Sequence, residues 1–230
     1  MLQIDFTTDF QVDTLTNVLP ADMDRLWADG WRHFGEHFFR NRCDYYEGMG
    51  KWVRVLPLRI SIEKFKFSKH QQKLLKRQKA TKVVYQPINI TQEHAIMFEK
   101  HIHRFASNLP ESLATFLGDA PHIVPCPALE CALYDEAGKL YATSYFAVGE
   151  QAISSIYATF DTDFEAQSPG LHTLLAEIQY AQTHAKKYVY LGYCYREPSF
   201  YDYKKNFYGL ECYDWAGKWL DFEKLTHSKT

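Results

Sequence analysis

Apolar residues recur along this chain with two periods, alternate positions and helical spacing, and the switch between them is clearest from Ile153 to Phe207. Ile153–Phe160 (ISSIYATF) is rich in β-branched and aromatic residues and predicts a strand. Asp161, Asp163, Ser168, Pro169 and Gly170 break it. Leu171, Leu174, Leu175, Ile178 and Ala181 then repeat at helical spacing, and Tyr188–Cys194 returns as an aromatic strand interrupted by Gly192. A short tyrosine-rich helix follows. A strand that feeds a loop and then a helix N-terminus is a natural place to hold an anion on free backbone N–H groups.

The remaining segments frame this stretch. Ala21–Ala28 predicts a short helix, with Asp22 and Asp24 near its positive end. Residues 29–43 (DGWRHFGEHFFRNRC) read as an aromatic, basic loop or strand pair. Trp52–Ile62 alternates as a strand, with Pro57 suggesting an edge or a bulge. Ser68 is placed to cap a helix over Lys69–Lys79, with Leu74 and Leu75 inward. A strand at Lys82–Ile88 leads to a helix after Thr91, whose apolar side is expected at Ile96, Met97, Ile102 and Phe105. A second short helix, Glu111–Leu117, ends at Gly118. Strands at Ala128–Tyr134 and Leu140–Val148 form a meander into the central stretch, and two short strands follow Phe207.

Charge changes the picture more than composition does. The 230 residues carry a net charge of −2, yet Lys64, Lys66, Lys69, Lys73, Lys76, Arg77, Lys79 and Lys82 fall in one stretch without an acid. Removing that stretch leaves the rest of the chain at about −10. Such segregation is the footprint of a protein that meets a polyanion on one face. Five scattered cysteines, Cys43, Cys126, Cys131, Cys194 and Cys212, suit reduced thiols. The N-terminus has no basic segment followed by an apolar run, so no secretory signal is expected and a cytoplasmic location is. No apolar run approaches the roughly 20 residues of a membrane helix, so no membrane partner is expected.

Four motifs occur in order: WRHFG (Trp31–Gly35), FSKHQQKLLKR (Phe67–Arg77), SSIYATFDTDF with the SPG turn, and YVYLGYCY followed by YDYKKNF. Together they resemble the arginyl-tRNA–protein transferase family, including its bacterial leucyl-transferring relatives, from about Gly30 to Gly217. The family carries a cysteine cluster where this chain has Cys43 alone, so no metal or cofactor is expected. The resemblance implies an α/β (α+β) protein built on an N-acetyltransferase-like (GNAT-like) mixed sheet flanked by helices. Residues 1–90 would form a smaller region with the aromatic loop and basic helix, and residues 91–230 the transferase domain.

The implied reaction moves an amino acid, Arg or Leu, from aminoacyl-tRNA to the N-terminal α-amine of an acceptor protein, usually one with an acidic first residue. The expected catalytic residues are Tyr157, Asp161, Tyr203 and Lys204, with Ser155, Tyr157 and Asp161 along one cleft if the strand alternates. Arg32, Ser155, Gly170, Gly192 and Tyr193 are expected to bind substrate, and Lys69, Lys73, Lys76 and Arg77 the tRNA backbone. Each has a plainer reading: a solvated basic face, packing residues on a strand, and an aspartate that opens a turn. His101 and His103 read as a helix-surface pair, without partners for a metal.

Two rival functions remain at this level. Gln167–His172 half-matches the pyrophosphate loop of acyl-CoA-dependent N-acyltransferases, although Leu171 and His172 are larger than such a loop keeps. The other rival is a non-catalytic tRNA- or protein-binding relative.

Overall fold

The computed structural model describes residues 4–105 and 109–223. Helix α1 (Phe6–Asp9) and strand β1 (Phe10–Thr14) lead to α2 (Pro20–Ala28), β2 (Arg32–Phe34), β3 (His37–Asn41), β4 (Cys43–Tyr46) and β5 (Lys51–Ser61). Next come α3 (Lys69–Arg77), β6 (Lys82–Pro87), α4 (Gln92–Ile102), α5 (Ala114–Leu117), β7 (Ala128–Tyr134), β8 (Leu140–Val148) and β9 (Ala152–Phe160). The chain closes with α6 (Pro169–Thr183), β10 (Tyr188–Tyr195), β11 (Leu210–Tyr213) and β12 (Trp219–Asp221). β1, β3 and β2 make a small antiparallel sheet, and the other nine strands make a mixed sheet ordered β12-β11-β5-β10-β9-β8-β7-β6, with β4 against β5.

The mixed sheet is buried on both faces, as the near-continuous burial of β8 shows, Thr143 and Ser144 included. On one face, Leu175, Ile178 and Ala181 of α6 pack with Phe146, Ile153 and Leu191. On the other, Met23 and Trp27 of α2 and Phe98 of α4 pack with Tyr145 and Tyr190. This is the α/β arrangement, a mixed sheet flanked by helices, that the resemblance implies. β9 and β10 run parallel, so the chain must cross between them through a helix, and α6 is that crossover.

Three local expectations need correction. β5 is an interior strand and not the edge strand that Pro57 suggests; the proline is tolerated because it falls between the residues that pair with β4 (Lys51–Arg54) and those that pair with β11 (Leu58–Ile60), where the ladder on that side is open. The inward side of α4 carries His94, Met97, Phe98 and His101, while Ile96 is 52% exposed. His101 is therefore no surface residue; its Nδ1 accepts the Phe160 N–H and its ring packs edge-on against Phe160. α3 follows expectation and adds to it, because Gln71 returns a hydrogen bond to the Ser68 N–H and completes a capping box. Among the described residues no helix is long and apolar enough to cross a membrane.

Candidate active site

β9 and β10 pair only at their first residues, Ala152–Ser154 against Tyr188–Tyr190, and then separate. Each strand carries a bulge near this point. Ile156 is left unpaired against β8, and Leu191 is left unpaired against β5. An extra residue bends its strand and raises the local twist, so two bulges beside one parallel pair pry it open.

The split frees backbone carbonyls on β9, which burial would make costly to leave unmade. Arg32 of β2 fills the gap. Its Nη1 donates to Ser155 O (2.5 Å) and Ser154 Oγ (3.2 Å), and its Nη2 to Ile156 O (3.5 Å). The guanidinium lies over Gly192, where an added Cβ would meet Arg32 Cζ at 2.6 Å and where φ is +79°. Glycine is required there on both counts. Burial lowers the Arg32 pKa to about 10, with Tyr193, Glu177 and Tyr203 opposing the shift.

A cavity of about 1710 Å³ opens into the split and brings together Arg32, Ser155, Tyr157, Gly170, Tyr193, Tyr203 and Lys204. The bulge at Ile156 divides two of them. Tyr145 pairs with Tyr157 and Phe146 with Ser155, so these two β9 side chains face opposite sides of the sheet. Ser155 lies on the α6 side near Glu177, whereas Tyr157 stacks face to face on Phe116, 3.8 Å between centroids. The single cleft face expected from simple alternation is therefore two. The Tyr193 hydroxyl donates to Gly30 O (2.7 Å), which ties β10 to the segment that carries Arg32. Lys204 Nζ donates to Tyr193 O (3.2 Å). Burial lowers the Lys204 pKa to about 7, helped by Arg32 and opposed by Cys194 and Glu177. Burial also pushes the Tyr157 and Tyr203 phenols up to about 12.

Asp161 is not part of this cavity. It borders a separate hollow of about 360 Å³ with Lys100 and Lys139. Lys139 Nζ reaches it at 2.8 Å and Lys100 Nζ at 3.0 Å, and it accepts the Asp163 N–H as the cap of the following turn. Burial alone would raise its pKa; the Lys139 and Lys100 hydrogen bonds and the capping bond hold it at about 2. A carboxylate so held is a poor proton acceptor near neutrality.

Two features at the cavity carried little signal in the sequence. Glu177 of α6 is fully buried, lines the cavity and has no hydrogen bond of normal geometry to either oxygen. Its clue is position: it falls on the inward side of α6 among Leu174, Ile178 and Ala181, where an acid is costly. The second is the rim, where Lys66, Ser68, His70 and Gln71 at the start of α3 border the cavity with Tyr208. Lys66 Nζ sits 4.8 Å from the Tyr208 ring centroid. Lys69, Lys73, Lys76 and Arg77 are exposed and make no ion pair with any described residue. All five cysteines are buried free thiols, and burial pushes Cys126 and Cys212 up to about 12.

Residues 76–214 match the family model described as arginine-tRNA-protein transferase, C terminus. The aspartate/glutamate leucyltransferase of Campylobacter jejuni serotype O:6 is 30% identical over 184 residues, covering 77% of this chain and 74% of the relative. That of Saccharophagus degradans is 26% identical over 224 residues, covering 95% and 90%. Among solved structures, L-PGS from Bacillus licheniformis superposes with a TM-score of 0.46 at 13% identity, covering 78% of this chain and 53% of that one.

Proposed function

The chain belongs to the arginine-tRNA-protein transferase family, and from that premise we propose that it moves leucine from charged tRNA to the N-terminal α-amine of proteins beginning with aspartate or glutamate. Leucine is chosen over arginine because the relatives that match most of the chain are named aspartate/glutamate leucyltransferases. Transfer then marks the acceptor for degradation, in the cytoplasm, where charged tRNA is made and used.

One observation carries the reading: a helix whose cations have no ion-pair partner among the described residues begins at the rim of the cavity that enters the strand split. Lys69, Lys73, Lys76 and Arg77 grip phosphates, which gives affinity without sequence information. Tyr208, with Lys66 beside it, offers a stacking platform for a base of the single-stranded 3′ end. The ester then reaches the split. Residues 1–90 thus supply the tRNA grip and Arg32, and residues 91–230 the split strands, α6 and Lys204, with β5 and β6 joining both regions in one sheet.

The donor ester is already activated, so positioning and charge placement account for most of the acceleration required. As the ammonium, the form that an incoming carboxylate favours, Lys204 uses one N–H on Tyr193 O and keeps two for the cavity. These suit the side-chain carboxylate of an acidic first residue. Tyr203 shapes the wall around the reacting carbonyl, and Tyr157 lines the cavity from the opposite face of β9.

An acyl-CoA donor fits poorly. A pyrophosphate needs several free amides at the start of α6, but Pro169 has none, Ser168 N donates to Glu165 O, and Leu171 and His172 N both donate to Ser168 O, which leaves the Gly170 amide alone among these five residues. Arg32 also occupies the β9 carbonyls that an extended pantetheine arm would use.

The test is label transfer from Leu-tRNA and Arg-tRNA, with acetyl-CoA in parallel, to peptides beginning Asp, Glu or Ala. Leucine on the acidic peptides is the expected result. Acetyl transfer without aminoacyl transfer overturns the reading.

A further inference from the structure

The proposed function leaves one buried group unused. Glu177 is fully buried with no ion-pair partner among the described residues, and the Ser144 and Ser155 hydroxyls approach its carboxylate without reaching normal hydrogen-bond geometry. Buried carboxylates are ordinarily paired, and a carboxylate kept for stability would be expected to be so too. Ser155 stands between Glu177 and the substrate space: it is half-buried, it lines the cavity, and the bulge at Ile156 turns it to the α6 side.

We propose that Ser155 and Glu177 form a proton relay for aminoacyl transfer, with Ser155 touching the attacking amine and Glu177 holding the proton behind it. The inference rests on the transferase reading. The acceptor α-nitrogen attacks the ester carbonyl and forms the new C–N bond. Its proton passes to the Ser155 Oγ as the Ser155 hydroxyl proton passes to Glu177. When the C–O bond to the tRNA ribose breaks, the proton returns along the same path to the leaving ribose oxygen. Amide and free ribose hydroxyl are the products, and Glu177 ends as the carboxylate it began as.

The surroundings fit a group that changes protonation during turnover. Burial raises the Glu177 pKa to about 7, while the Ser144 and Ser155 hydroxyls, then Arg32 and Lys204, pull it down. Tyr85 of β6, Cys131 of β7 and Tyr203 also face its charge. The raised value puts Glu177 where a proton acceptor is most useful, near the working pH. Asp161, held at about 2 by its two lysines, cannot serve this way.

The experiment is single-turnover leucyl transfer to an Asp-peptide across pH 5.5–9 by wild type, Glu177→Gln and Ser155→Ala, with thermal unfolding of each. Wild type should show a limb near pH 7. Both variants should be slower by about 10²–10⁴-fold at every pH; any limb near 7 that they keep belongs to Lys204, which burial also brings to about 7, beside the later limb of the peptide amine near about 8. Transfer by Glu177→Gln within threefold of wild type overturns the relay and leaves the transferase reading standing. If Glu177→Gln does not fold, Ser155→Ala decides by the same criterion. A wild type inert with charged tRNA overturns both.

Discussion

At the scale of single residues, two acids in the central stretch have opposite environments and opposite tasks. Asp161 is drawn down by Lys139 and Lys100 across the α4 side. Its stabilising effect is present above the unfolded value near 4 and is lost as pH falls through about 2. Asp161→Asn should lower stability at pH 7 by about 2 kcal/mol while leaving transfer per folded molecule within threefold, as urea melts and a transfer assay would read. Glu177 has the reverse sign. Its folded pKa lies above its unfolded one, so the native state loses stability as pH rises from about 4.5 to about 7. Glu177→Gln should therefore be more stable than wild type at pH 8.5, by up to about 3 kcal/mol, with the difference vanishing below pH 5. A pH-independent stability difference would contradict this assignment. Lys204→Ala should raise KM for Asp-peptides tenfold or more and leave Ala-peptides little changed, because the ammonium it removes serves the acidic side chain.

At the scale of elements, α6 and the strands on either side of it were legible, because their periodicity changes from two to 3.6 residues and back. The bulges at Ile156 and Leu191 were not. One extra residue hardly disturbs the apolar pattern of ISSIYATF, yet it reverses the face of every side chain beyond it. That is why Ser155 and Tyr157 read as neighbours on one wall and are not. The partners of Asp161 were equally hidden, since Lys100 and Lys139 lie 61 and 22 residues away in the chain. Gly192, read as a strand interruption, has a stricter cause in the Arg32 guanidinium lying against it. Gly192→Ala should cost about 1–3 kcal/mol from the positive φ alone, with the clash against Arg32 in addition, and displacing Arg32 should reduce transfer beyond what the stability loss explains. Unchanged stability in a urea melt would show that Arg32 is not held where the split requires it.

At the scale of the whole molecule, charge segregation was the feature the sequence carried most directly, and the fold adds where it points. Lys64 is spent on Glu211 and Asp221, so the basic run is not uniformly free. Lys69, Lys73, Lys76 and Arg77 remain open on α3. Replacing these four with alanine should weaken tRNA binding and flatten its dependence on salt, with the slope of log K against log salt falling by about one for each phosphate no longer neutralised. An unchanged slope would remove α3 from the interface. The acceptor reaction should survive in that variant at saturating tRNA, since the helix contributes grip and not chemistry.

The most direct test of the whole account is single-turnover transfer from labelled Leu-tRNA to an Asp-peptide and to its N-acetylated twin, with the product sequenced. Leucine joined to the α-nitrogen of the free Asp-peptide, absent from the acetylated one and diminished at least tenfold in Lys204→Ala, is the predicted result. Leucine on side-chain amines, or no transfer by a protein that still binds tRNA, would contradict the claim that the strand split is where ester and α-amine meet.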